Sequence, residues 1–213
     1  MMPEHSLEED LSIMNIFNDL RKSEGVLKKT LMHSAALLLS VFIVGIGFSC
    51  GYLYRYVKQL LDTGEDNLPR WEIMNIEDLK AMYISGWRAF LPLLPFIVLL
   101  TILYLTVPHR WFIIPVLMSV LSFILIPYVF IRYASRGSIK ETFSPSVFFI
   151  FLKERFLYIG IALVISLLLF AVSLLGILFI IGFFFTFSWF LVIILNMWTR
   201  IYKFENKNGG HYV

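Results

Sequence analysis

Charge is what this chain lacks over its longest stretch: no Asp, Glu, Lys or Arg occurs between Arg155 and Arg200. At about 1.5 Å per residue, a straight helix over Phe156–Thr199 would be roughly twice as long as a bilayer core is thick. The run therefore predicts two crossings joined by a turn near Ser173–Gly182. Acids are missing more widely, with none between Asp78 and Glu141 or between Glu154 and Glu205. Proton- and cation-coupled transporters ordinarily need a carboxylate inside the membrane, so this absence argues against that class. With Cys50 as the only cysteine, no intrachain disulfide can form. The chain also lacks a Gly-rich phosphate loop, a serine-nucleophile elbow and a metalloprotease motif, which argues against an enzyme. No cofactor or metal site is expected.

What the chain does have is apolar residues: 59% of its 213 residues are hydrophobic and only 15% are charged. Soluble domains typically carry about 25% charged residues. The charges are bunched and leave three further uncharged gaps, Thr30–Tyr54, Ala89–His109 and Trp111–Ile131, each about one crossing long. The expected fold class is all-α, a polytopic integral membrane helical bundle of about five hydrophobic segments with amphipathic interfacial helices. Its parts are an N-terminal amphipathic segment (1–29), a membrane domain (30–202) and a polar tail (203–213). The segments fall at about 30–54, 89–109, 111–131, 156–175 and 179–199. The first apolar run is too long for a signal-peptide core and lacks a small-x-small cleavage site, so it is expected to be retained.

Local signals place the connections. Ser6 and Glu9 form a capping-box pattern, followed by an apolar stripe of Leu7, Leu11, Met14, Phe17 and Leu20. The polar side of that stripe is acidic, so the helix is expected to pack on the protein's own loops or on a partner rather than on anionic lipid. Asp62–Pro69 reads as a polar turn, and Tyr52, Tyr54 and Tyr56 read as interfacial aromatics. Asn75 with Asp78, and Ser138 with Glu141, are N-cap patterns, and Ser144-Pro145 is a third helix start. Pro92 and Pro95 should kink the second span. Val107–Trp111 makes a tight connection to the third span. Val147–Leu152 reads as a short interfacial helix, and Asn206–His211 as disordered.

Orientation follows from Lys and Arg. With five simple crossings, thirteen of the eighteen basic residues share one side, and the N-terminal Arg21, Lys22, Lys28 and Lys29 are left on the other. If the first segment instead dips in and returns near Gly45, Gly47 and Gly51, all but Arg110 fall on one side. Both arrangements remain open from sequence. Either puts the C-terminus in the cytoplasm by the positive-inside rule.

The candidate packing or docking residues are Gly45, Gly47, Gly51, Arg55, Arg88, Pro92 and Pro95. The glycines permit close helix contact. Arg55 and Arg88 sit where spans meet loops, within reach of Glu65, Asp66, Glu77 or Asp78, or of lipid phosphates. The mild polar residues Ser40, Ser49, Thr101, Ser119, Ser122, Ser166, Ser173, Thr186, Ser188 and Asn196 are expected to bond helix to helix. His33 and His109 read as interfacial histidines, Cys50 as a packed thiol, and Asp62, Glu65 and Asp66 as a solvated turn.

The stretch Gly51–Trp71, GYLYRYVKQLLDTGEDNLPRW, resembles the domain of unknown function 4013 family, polytopic membrane proteins of archaea and bacteria. Agreement continues in Asp78-Leu79-Lys80, the Pro-rich start of the second span, Arg132-Tyr133-Ala134, Gly137-Ser138-Ile139 and Phe143, over about Leu31 to Tyr202. The family tends to place acidic and aromatic residues after the Trp, where this chain has Glu72-Ile73-Met74. The resemblance therefore implies the architecture rather than a shared site, and it implies no catalytic residues.

The function expected from these readings is a non-enzymatic membrane subunit or scaffold in the cell membrane. Its expected partners are the lipid bilayer and either further copies of itself or other membrane subunits, with no nucleic acid. The alternative is a transporter or channel for a weakly polar or lipid-like solute, its path lined by the proline-kinked second and third spans.

Overall fold

The structure is a computed structural model that describes residues 13–22, 25–39, 44–64, 68–69, 75–175 and 180–208. All regular structure among them is helical: α1 (Ile13–Lys22), α2 (Val26–Leu39), α3 (Val44–Thr63), α4 (Ile76–Phe90), α5 (Leu94–Thr106), α6 (Ile113–Arg136), α7 (Ile139–Thr142), α8 (Pro145–Glu154), α9 (Phe156–Leu175) and α10 (Ile180–Asn208). Four stretches are long and apolar enough to cross a membrane: Ile76–Thr106, Ile113–Arg136, Phe156–Leu174 and Phe184–Lys203. The fifth hydrophobic segment is divided between α2 and α3.

That segment is folded back on itself. His33 on α2 lies 3.0 Å from Ser49 on α3, yet sixteen residues of continuous helix would hold them about 24 Å apart. The two arms also follow α10 in opposite directions. Asp19, just before α2, and Leu60, near the end of α3, reach Arg200 and Lys203. His33 reaches Ser188, twelve residues earlier on α10. The two ends of the hairpin therefore lie together beside the last turns of α10, the fold-back that the dip-and-return arrangement requires.

Local chemistry sets most boundaries. The Asn75 side chain accepts from the Asp78 N–H at 2.8 Å and starts α4. Ser138 caps α7 through the Glu141 N–H, and Pro145 occupies the first turn of α8. Gly64 and Gly137 close α3 and α6 in the left-handed conformation glycine tolerates, donating to Leu60 and Tyr133 carbonyls. Pro92 lies in a 3-10 turn, Leu91–Leu93, that joins α4 to α5, and Pro95 lies in the first turn of α5. A second 3-10 turn, His109–Trp111, makes the tight connection before α6. The helix expected to begin at Ser6 is described only from Ile13, so the Ser6–Glu9 cap lies outside the described residues, as do Glu65, Asp66 and Ser40.

Helix α10 is the axis of the bundle. Every residue from Val192 to Thr199 is buried, the pattern of a helix covered on all sides. Helices α1, α2, α3, α6 and α9 pack against it. By contrast α5 has no buried residue and leans mainly on α6. Helix α1 docks on the bundle through Ile16 and Leu20, both fully buried, which agrees with an acidic helix that packs on protein. Two expectations need correction. Helix α10 runs on to Asn208, so residues 206–208 of the supposed disordered tail are helical. Tyr52 and Tyr56 are not interfacial aromatics, because both rings are turned inward with no exposed surface.

Candidate functional site

Three features concentrate the interior's specific chemistry: a histidine junction, a glycine crossing and an apolar slot. The junction joins α2, α3 and α10. The buried imidazole of His33 has Nδ1 2.6 Å from Ser188 Oγ and Nε2 3.0 Å from Ser49 Oγ. A neutral imidazole needs one acceptor and one donor, and serine hydroxyls serve as either. The Tyr52 ring stacks on His33 with centroids 4.9 Å apart. His33 is thus the centre of a buried junction, not the interfacial histidine its place at a span end suggested.

The junction begins a polar seam along one face of α10. Two turns beyond Ser188, Asn196 donates from Nδ2 to Tyr56 Oη, and its Oδ1 accepts from Arg200 Nε at 2.7 Å. Arg200 also pairs with Asp19 at 3.6 Å, and Lys203 Nζ donates to the Leu60 carbonyl at 2.9 Å. Ser188 and Asn196 each meet a polar group from another helix, and the buried Thr199 hydroxyl bonds its own Leu195 carbonyl, which is how such groups are accommodated away from water. Sequence reading missed His33, Tyr56, Arg200 and Asp19 as partners. The available signal was the spacing Ser188, Asn196, Arg200, which shares one face of a helix.

The crossing sits between α3 and α4. A Cβ added at Gly86 would lie 1.8 Å from the Gly47 carbonyl oxygen, and one at Gly51 would lie 2.1 Å from the Met82 carbonyl oxygen. A Cβ at Gly47 would meet the Tyr83 ring at 2.6 Å. The backbones therefore touch where these glycines meet, as small residues allow between membrane helices. Gly86 is a member of this crossing that sequence reading did not single out. Gly45, two residues before Gly47 on α3, is also buried. Arg55 extends the contact by donating from Nη2 to the Asp78 carbonyl at 2.9 Å, whereas Arg88 is exposed on the last turn of α4. Pro92 is buried and Pro95 exposed, so the seven candidates do not converge on one site.

The slot is apolar. A cavity of about 300 Å³ lies among α5, α6, α9 and α10. Another of about 280 Å³ lies among α2, α3, α4, α6 and α10. Cys50 lines the second cavity. Other polar residues stitch neighbouring helices or bond within their own: Tyr104 with Ser119 between α5 and α6, Ser173 with Thr186 between α9 and α10, and Thr101 with its own Ile97 carbonyl. Ser166 departs from that expectation: its hydroxyl is buried on α9 with no hydrogen-bond partner among the described residues. Among the described residues no cluster of three or more His, Cys, Asp or Glu could hold a metal ion.

Together these features define an all-helical, multi-pass, membrane-embedded protein. No family model, curated protein or solved structure matches the chain.

Proposed function

We propose that this protein is a non-enzymatic integral membrane subunit or scaffold that packs with further copies of itself or with other membrane proteins. The observation that carries the reading is how the interior polar groups are used. His33, Ser49, Ser188, Tyr56, Asn196, Ser173 and Thr186 all bond to other helices of the same chain. Such contacts build a rigid body, and no carboxylate lies within the crossing stretches after Asp78 and before Glu205 except Glu141 and Glu154 in the connections. Folding back the first segment removes the conflict in the charge count, which supports a cytoplasmic C-terminus in the cell membrane, with Arg110 outside. Kinship with the domain of unknown function 4013 family belongs to the same proposal. The test is mild-detergent extraction of the tagged full chain, with mass measurement and identification of co-purifying chains. A stoichiometric homo-oligomer or hetero-complex is expected, and a bare monomer with no companion overturns the reading.

A second reading, a transporter for a lipid-like solute, draws on the apolar cavities beside Pro127 on the third span. Proteoliposomes carrying a fluorescent lipid in one leaflet decide it: accelerated exchange between leaflets supports transport, and the protein-free rate rejects it.

A further inference from the structure

The two cavities are neighbours and share Ile126, Pro127, Leu191 and Ile194 as walls. Along α6 the walls run from Ser119 to Phe130, which is about 16 Å of helix. The polar atoms near this space are already taken. Ser122 donates to the Met118 carbonyl, Ser119 to the Pro115 carbonyl, and Ser49 holds His33. A water molecule needs two to four polar partners, and these walls present almost no polar surface to supply them. A polar solute would lose its own hydration without replacement.

From this geometry we infer that the two neighbouring cavities join as one slot that binds a single hydrocarbon chain, supplied as the acyl tail of a bilayer lipid. The walls offer dispersion contacts with almost no hydrogen-bonding demand. Half-buried Leu100, Ser119 and Phe187 bring one end to the outer surface of crossing helices, where acyl tails are the surrounding medium. The headgroup stays outside, because nothing inside would recognise it. The bound tail fills the volume that the side chains leave open between the folded-back first segment and the last hairpin. The inference does not depend on whether the protein is a subunit or a transporter.

The experiment uses the full chain reconstituted in phosphatidylcholine containing a tracer phosphatidylcholine with a diazirine midway along one tail. After illumination, adducts are mapped by peptide mass spectrometry. Adducts are expected on 119–130 and 187–195, together with the lipid-facing residues Leu157, Val164 and Leu168 of α9, which serve as reference. Filling the slot with Leu191→Trp or Ile194→Phe should lower the slot adducts at least roughly tenfold and leave the α9 adducts unchanged. If either variant fails to fold, modification of Cys50 with hexyl methanethiosulfonate fills the same space, with reversal by a reductant. Slot adducts that are absent, or that persist undiminished when the slot is filled in folded protein, overturn the inference. So does recovery of a stoichiometric headgroup-free hydrocarbon from the purified protein in place of a phospholipid.

Discussion

His33 Nε2 and Ser49 Oγ lie 3.0 Å apart across two helices that the sequence presents as one apolar run. The same ring's Nδ1 reaches Ser188, 155 residues away, at 2.6 Å. One imidazole thus clasps the fold-back of the first segment and fastens it to the central helix.

His33→Ala removes both hydrogen bonds, strands two buried hydroxyls and leaves a cavity under Tyr52. The expected destabilisation is about 2–4 kcal/mol, read from thermal or denaturant unfolding in detergent. Ser49→Ala and Ser188→Ala should each cost about 1 kcal/mol. Equal, negligible effects in all three would mean that the junction does not hold the hairpin.

At the glycine crossing the expected order is steep. Gly86→Ala and Gly51→Ala push a methyl group into backbone and should each cost about 3 kcal/mol or more. Gly160→Ala on α9, where an added Cβ meets nothing within 4 Å, should be neutral or slightly stabilising. Melting temperatures of the three variants in one detergent test the order.

Along the polar seam, burial decides the size of each effect. Asp19 is 37% exposed in a 3.6 Å pair, so Asp19→Asn should cost less than about 1 kcal/mol. Asn196→Leu removes its buried hydrogen bonds to the Tyr56 hydroxyl and the Arg200 Nε, and should cost about 2–3 kcal/mol. A double-mutant cycle of Asn196→Leu with Tyr56→Phe should show a coupling of about 1 kcal/mol, and additivity would remove the claim that the two residues interact.

Topology can be read by single-cysteine labelling in a Cys50→Ala background. Asn18→Cys, Asp62→Cys and Arg136→Cys should react with an impermeant maleimide from one face of sealed vesicles, and Arg110→Cys from the other. Labelling of Asn18→Cys and Asp62→Cys from opposite faces would show that the first segment crosses instead of returning.

Much of the fold was legible because its signals are local. Asn75, Ser138 and Pro145 mark helix starts through contacts within one turn of chain. Pro92 interrupts the helix that it was expected to disturb. The partners inside the bundle were harder to see. Nothing near His33 in sequence distinguishes an interfacial histidine from a buried one, because its partners are sixteen and 155 residues away. Tyr56 and Asn196, 140 residues apart, are hidden for the same reason.

The sequence by itself determined that this chain lives in a membrane, in about five apolar segments, since the distribution of charge along a chain decides what can enter hydrocarbon. Only the tertiary structure decided that the first segment turns back. Its glycines permit a straight span and a hairpin equally, and the balance is tipped by contacts from α4 and α10. Those contacts exist only once the later helices are in place: the Gly47–Gly51–Gly86 crossing and the His33 junction with Ser188.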